Sequence, residues 1–531
     1  MTPLFLILIA VIILTCVWLN SVSSRIGIPT LLAFILLGVV FGNVGAIPIR
    51  LDNPTFAQQT CTVALIFIMF YGGFGTRWDA VKPVVWEAGL LASVGVILTA
   101  VLTGAFCHFV LRWDWAQGLL LGAVLSSTDA ASVFSILRSK RLGLRNNTGP
   151  MLEVESGSND PCAYMLTAIM LSVLNGQSSV SSVAWMLFSQ IVFGAGCGIG
   201  IALLSRAVLR KVHFPTSGFD SLFILAVAIA SYAIPDLIGG NGYLSAYLVG
   251  MIIGNEDFNN KKSLVNFFDG FTGLMQVLIF FLLGLLARPA ALYKAILPAI
   301  AVFVFMLLVA RPMSVFGILT PFRRYGVRQQ ALVSFVGLRG AASIVFAIMA
   351  LTDPAPLTFD IFSIVFCIVL ISILFQGSLI PWVSRKLDMV DASNDILKTF
   401  NDYSENSEMS FGQLDVTADS IWKDRMIQDL LLPKNLLIAL IIRGGERILP
   451  RGNTVLREGD RVIILTRTFD DTETFLIEKR IKPDSRRVGS RISDYPGTGL
   501  IVSVQRGDET IIPHGSTVLA AGDKLTILNI K

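Results

Sequence analysis

Apolar residues dominate positions 1–386 in blocks long enough to cross a bilayer, and short polar, often basic, stretches separate them. A helix needs about 20 apolar residues to span the hydrocarbon core. On that measure the pattern predicts about thirteen spans, at 3–20, 28–42, 56–74, 84–111, 116–137, 151–174, 183–209, 219–235, 241–256, 268–287, 294–318, 329–350 and 359–384. Beyond residue 386 the long blocks stop. Short runs there alternate apolar and polar between Gly, Pro and Asp turns, which predicts small β-rich modules.

Composition agrees with two solvents in one chain. Of 531 residues, 54% are hydrophobic and 15% charged, against about 25% charged in a soluble domain. Mean hydropathy is +0.70. The basic loop clusters are Arg77/Lys82, Arg138/Lys140/Arg141/Arg145, Arg206/Arg210/Lys211, Lys261/Lys262, Arg323/Arg324/Arg328 and Arg385/Lys386. They fall in alternate loops, and the loops around 175–182, 236–240 and 351–358 carry no Lys or Arg. The positive-inside rule then places the N-terminus outside and the C-terminal region in the cytoplasm. Met1-Thr2-Pro3 runs straight into an apolar stretch with no basic n-region, so a retained first helix is expected rather than a signal peptide. The six cysteines all lie in apolar segments without metal-ligand spacing, and His108, His213 and His514 are scattered. An enzyme built on cysteine or histidine is not expected. The glycine run 194–200 lies in an apolar span and is expected to serve helix packing.

Several charged residues break the apolar pattern. Asp160 lies in Glu155-Ser156-Gly157-Ser158-Asn159-Asp160-Pro161, and Asp129 follows Ser126-Ser127-Thr128. A carboxylate at membrane depth costs roughly 3 kcal/mol on insertion scales, so it is kept for an ion, a proton or a partner. Residues 125–132 are polar and rich in small side chains, and extended backbone there is tolerable only where it lines a cavity or binds ions, which predicts a broken fifth helix crossing near Asn159 and Asp160. A carboxylate among hydroxyls and carbonyls suits a hard monovalent cation. The same carboxylate binds a proton when the cation leaves. One site holding one or the other is the minimum machinery of antiport, with alternating access moving whichever is bound. Asn159 beside Asp160 leaves one titrating group, so one-for-one electroneutral exchange is expected. Glu155 and Arg339 are expected to form a structural ion pair, since two buried charges are better together than apart. Arg311 is a candidate for the cavity wall or for the interface, and Tyr71 for the cavity or for ordinary packing.

Three motifs in order, Thr128-Asp129, Glu155 to Pro161, and Gly337-Leu338-Arg339-Gly340-Ala341, resemble the cation–proton antiporter superfamily. Within it the chain looks most like the electroneutral bacterial NhaP-type Na⁺/H⁺ and K⁺/H⁺ antiporters of the cell membrane, over about residues 1–386. The resemblance implies a thirteen-helix fold with inverted repeats, broken crossing helices, a dimerising part and a moving core. It implies Asp160 as the shared cation and proton site, with Ser156 and Thr128 as co-ligands. Asp129 would neutralise helix ends, and Asn159 would mark the electroneutral branch. Some relatives carry an acid in the third span where this chain has Tyr71.

The tail repeats itself. Residues 436–465 and 499–528 align without a gap at an offset of 63, matching Arg443 to Arg506, Gly452 to Gly515 and Asp460 to Asp523. Both copies resemble RCK-type C-terminal (TrkA-C-like) domains, which implies ligand sensing and regulation. Cyclic di-AMP or another nucleotide is the candidate ligand, and no cofactor is expected. The expected layout is a transmembrane domain over 1–386, a linker over 387–407 and two modules over 408–470 and 471–531.

These observations point to a homodimeric monovalent cation/proton antiporter, K⁺ favoured, with a regulatory tail and no role for nucleic acid. Sodium–proton exchange by the same fold is the first alternative. A gated channel is the second, although no Thr-Val-Gly-Tyr-Gly filter occurs. A membrane sensor would have no use for charges at membrane depth.

Overall fold

The computed structural model describes residues 10–19, 30–43, 53–140, 142–176, 179–211, 218–256 and 261–391, and most of 409–530. Most of the expected linker 387–407 lies outside the described residues. The chain divides into two compact units, Met1–Glu405 and Asn406–Lys531.

Helices occupy all thirteen apolar segments of the first unit. They are α1 (Ala10–Leu19), α2 (Thr30–Asn43), α3 (Pro54–Gly75), α4 (Val85–Phe109), α5 (Trp115–Ser126), α6 (Ala130–Ser139) and α7 (Thr148–Leu174). After these come α8 (Val180–Lys211), α9 (Phe219–Leu237), α10 (Gly242–Gly254), α11 (Lys261–Leu286) and α12 (Pro289–Phe322). The last three are α13 (Val327–Phe335), α14 (Ala341–Thr352) and α15 (Ile361–Lys386). By length and composition, 8 helices among the described residues could each cross a membrane, counting α5 and α6 together. The fifth segment is broken, as its polar letters predict. So is the twelfth, read from its pattern as one span.

Close backbone approach holds the bundle. A Cβ on Gly73 of α3 would sit 2.0 Å from the Tyr247 carbonyl of α10, and one on Gly250 2.0 Å from that of Phe70. Only glycine lets these two helices touch, the usual device where lipid removes the hydrophobic drive for helix association. The 194–200 run works in the same way: Gly194 and Gly198 face Asn241 and Ser245, whereas Gly196 and Gly200 face open space. Single π-bulges interrupt α4 at Leu91–Gly95, α12 at Met306–Ala310 and α15 at Ser372–Gly377. The last two flank functional positions, where such bulges concentrate. The six cysteines are free.

The second unit holds two four-stranded antiparallel sheets. The first contains β3 (Met409–Asp415), β4 (Leu436–Arg443), β5 (Glu446–Ile448) and β6 (Arg461–Arg467), in the order β3-β6-β4-β5. The second contains β7 (Thr474–Arg480), β8 (Leu500–Arg506), β9 (Glu509–Ile511) and β10 (Lys524–Ile530), in the order β7-β10-β8-β9. In the first unit β1 (Gly143–Leu144) and β2 (Val390–Asp391) form a two-residue antiparallel pair. The strand order repeats, so the duplication extends upstream of the alignable residues. Ile427 and Ile492 open matching 3₁₀ turns 65 positions apart, whereas Ile441 and Val504 match at 63. The first copy therefore has two more residues in between, which hides the early half of the repeat from a gapless alignment.

Candidate functional site

The break between α5 and α6 leaves Ser127-Thr128-Asp129 without helical partners, and α7 supplies them. Ser156 Oγ donates to the Thr128 carbonyl at 2.6 Å and accepts from the Ala130 amide at 2.8 Å. Asn159 Nδ2 donates to Thr128 Oγ1 at 2.6 Å, and Asn159 Oδ1 accepts from the Thr128 amide at 3.4 Å. The Ser127 hydroxyl donates to the Asp160 carboxylate. Ser156, Asn159 and Asp160 stand at i, i+3 and i+4, one stripe of a helix. That stripe satisfies backbone groups which hydrocarbon could not.

The second break, residues 336–340 between α13 and α14, crosses the first. The Asp129 amide donates to the Leu338 carbonyl at 2.8 Å, and Arg339 Nη1 donates to the Ser127 carbonyl at 2.7 Å. The Arg339 amide donates to Ser372 Oγ at 3.1 Å, which donates to Gln376 Oε1 at 2.9 Å, both on the α15 bulge. Asp129 accepts from the Ser132 amide at 3.1 Å and the Ser132 hydroxyl at 2.5 Å, and so caps α6. A Cβ on Gly340 would fall 2.1 Å from Asp129 Oδ2, so the same carboxylate lies against the N-terminus of α14. An anion at two helix N-termini and a guanidinium at the C-terminal end of α5 oppose the dipoles of the half-helices.

The ion pair needs correction. The sequence pairs Glu155 with Arg339; the structure pairs Glu155 with Arg311, Oε1 to Nη2 at 2.5 Å, with the side chains 1% and 4% exposed. Arg339 is occupied with the carbonyl of the first break. Arg311, just after the α12 bulge, lies against Gly337, and it is not among the residues lining the cavity.

That cavity measures about 670 Å³ and is lined from α1, α2, α3, α6, α7, α11, α14, α15 and the first break itself. Asp160, 5% exposed, sits on its wall. Ser127, Thr128, Asp129 and Ser156 line it too, whereas Asn159, fully buried, does not. Tyr71 is on the wall, its hydroxyl donating to the Val265 carbonyl and to Asp269 Oδ1, each at 3.4 Å. Four carboxylates line the cavity, those of Asp129, Glu153, Asp160 and Asp269, and its described lining holds no Lys, Arg or His. Sequence reasoning included Ser127 in the polar stretch without naming it a ligand, and it missed Glu153 and Asp269. The available signal was an acid within an apolar block, at the start of the tenth span for Asp269 and two residues before Glu155 for Glu153.

A charged crossing of two broken helices, beneath an acidic cavity in a many-helix bundle, defines a multi-pass membrane transporter. The chain belongs to the sodium/hydrogen exchanger family: the family's transmembrane model matches residues 9–386, and the TrkA-C domain model matches 412–468 and 476–528. Among its relatives is the K(+)/H(+) antiporter NhaP of Alkalimonas amylolytica, 34% identical over 88% of this chain and 82% of that protein. The K(+)/H(+) antiporter NhaP2 of a Shewanella species (strain ANA-3) is 34% identical over 87% and 81%. The solved sodium proton antiporter MjNhaP1 of Methanocaldococcus jannaschii shares the fold at a TM-score of 0.60 and 21% identity, over 70% of this chain and 99% of that one.

Proposed function

We propose that this protein is an electroneutral monovalent cation/proton antiporter, with K⁺ the favoured cation. The observation that carries the reading is Asp160: a carboxylate on the wall of an acidic cavity, at the crossing of two broken helices, with a neutral amide, Asn159, as its sequence neighbour. A cation entering the cavity meets the Asp160 carboxylate among the Ser127, Thr128 and Ser156 oxygens and displaces its proton. The rearranged bundle then releases the cation and takes a proton on the other side. Since Asn159 does not titrate, one positive charge crosses in each direction.

Potassium is favoured because the 34%-identical relatives, matched over 88% and 87% of this chain, bear K(+)/H(+) names, and because this chain carries TrkA-C domains. Sodium–proton exchange is the second reading, supported by 24% identity to the Na(+)/H(+) antiporter NhaS2 of Synechocystis. The cavity reaches α3 near Gly72, α7 near Glu153 and α11 near Asp269, all at the ends joined to basic loops. By the positive-inside rule this is a cytoplasm-open state, with the tail in the cytoplasm. The assembly is a homodimer. The tail modules sense a nucleotide, cyclic di-AMP being the candidate; titration calorimetry on the full protein without binding heat would remove that ligand.

The test is cation-driven proton movement in proteoliposomes with K⁺, Na⁺ and Li⁺, at clamped voltage, for wild type and Asp160→Asn. Exchange with K⁺ that ignores voltage and vanishes in the mutant is the expected result. An unaffected mutant would remove Asp160 from the site.

A further inference from the structure

Residues 387–391 leave the last membrane helix and precede the tail, yet they are not a loose connector. Val390 and Asp391 (β2) pair antiparallel with Leu144 and Gly143 (β1), in the loop between α6 and α7. The Arg145 amide donates to the Met389 carbonyl at 3.0 Å. The Arg145 guanidinium reaches the Asp388 carbonyl at 3.2 Å and its carboxylate at 3.0 Å. Met389 is 4% exposed and belongs to one buried cluster with Val133 and Leu137 of α6, Leu142, and Met151 of α7. Asp388 turns the chain at φ 55°, a left-handed conformation that Asp tolerates better than most residues.

The second broken helix joins the same knot. Arg328 Nη1 lies 3.6 Å from Asp388 Oδ2. Gln329 Nε2 donates to the Asn146 carbonyl at 3.1 Å and to Thr148 Oγ1 at 3.0 Å. One short segment therefore ties together the ends of α6, which starts beside Asp129, of α7, which carries Asp160, and of α13, which leads to Arg339. The ion pairs are exposed, Arg145 by 44% and Asp388 by 63%, and such pairs hold little. The grip comes from the buried Met389 and the two-residue ladder, a small unit of the kind that opens locally without global unfolding.

We propose that residues 388–391 are a strap through which the tail sets the position of both broken helices, with Met389 and Arg145 as positioning residues for transport. Along the chain, the strap is the first described part of the membrane unit that precedes the tail. The inference rests on the antiporter reading for its consequence, though not for its geometry.

The test uses the full-length protein in liposomes, with Asp460→Asn as a perturbation inside the first tail module. Two quantities are read: hydrogen exchange of the 142–148 amides, and the maximal rate and KM of K⁺-driven proton movement. In wild type and in the conservative Met389→Leu variant, Asp460→Asn should shift both exchange and maximal rate about five-fold or more, within the usual range of coupling between sites. In Arg145→Ala/Met389→Ala, which releases the strap, the tail change should shift neither. Arg145→Ala/Asp388→Ala, which leaves the buried cluster whole, should retain part of the shift. Unchanged exchange protection in α8 verifies folding. An equal shift in the released protein, or no shift in wild type, overturns the strap. Coupled exchange without any cation-driven proton movement in wild type would overturn the antiporter reading alone.

Discussion

The two breaks do the same work with opposite chemistry. The first, Ser127-Thr128-Asp129, is polar throughout and contributes an acid to the N-termini of α6 and α14. The second, Val336-Gly337-Leu338-Arg339-Gly340, is apolar but for one cation, which it sends to the carbonyl at the end of α5. Each break carries the charge that the other's helix ends need. An unwound segment in a membrane can thus be stabilised in two ways, by its own hydroxyls and acids, or by glycine to allow contact plus one long cation to reach across it.

The strongest way to break this picture is through the pair behind the crossing. Arg311→Ala leaves Glu155 buried without its cation, which should cost about 3–5 kcal/mol, read as thermal unfolding of the detergent-solubilised protein. A double-mutant cycle with Glu155→Gln should show strong coupling to Arg311 and weak coupling to Arg339. The reverse result would restore the pairing expected from sequence and make the second break the seat of the structural ion pair.

How much was visible beforehand follows from the same contrast. Ser156, Asn159 and Asp160 form a stripe that a single helix dictates, and Ser127 to Asp129 announce their break by polarity. The local half of the site could therefore be read directly. Arg311 and Arg339 both sit in apolar segments next to proline or glycine, and only the crossing of α12 and α13–α14 decides which of them meets Glu155. Periodicity carries no information about that choice. Asp269 and Glu153 were passed over for the same reason: their importance comes from α7 and α11 facing one cavity. The second break, with one charge among apolar residues, reads as continuous helix until its contact with Asp129 is seen.

A smaller effect sharpens the glycine half of the comparison. Gly340→Ala puts a methyl group where Asp129 Oδ2 lies 2.1 Å from the ideal Cβ position. Backbone or carboxylate must shift, at about 1–3 kcal/mol as for other overpacked sites. Transport should fall more than stability does, because the displaced carboxylate also lines the cavity. Gly196→Ala in α8 is the control, since nothing lies within 4 Å of its added methyl and it is not on the cavity wall. If both glycine variants transport alike, the contact of Asp129 with α14 is not part of the working site.

The tail shows charge pairing without any crossing, and the expected effect there is smallest. In each module an arginine on the central strand holds a buried aspartate 17 positions later: Arg443 to Asp460 at 2.7 Å and Arg506 to Asp523 at 2.8 Å. The repeat marks all four residues, since both partners recur at one spacing, and the structure shows that they pair. Their arginines hold both carboxyls below the ordinary carboxylate value by hydrogen bonding. A carboxyl depressed on folding stabilises the module fully above its unfolded pKa, about 3.9. That contribution is lost as pH falls through the lower, folded value. Tail unfolding should therefore be flat from pH 7 to 5 and weaken below about pH 4. Asp460→Asn and Asp523→Asn should each cost about 1 kcal/mol at pH 7, since the arginines are part-exposed and water screens them. The first should cost slightly more, because Arg443 is 30% exposed and Arg506 42%. Each variant should also remove its share of the acid sensitivity. A tail whose acid transition is unmoved by both changes would show that these repeated pairs mark geometry rather than stability, unlike the single pair behind the membrane crossing.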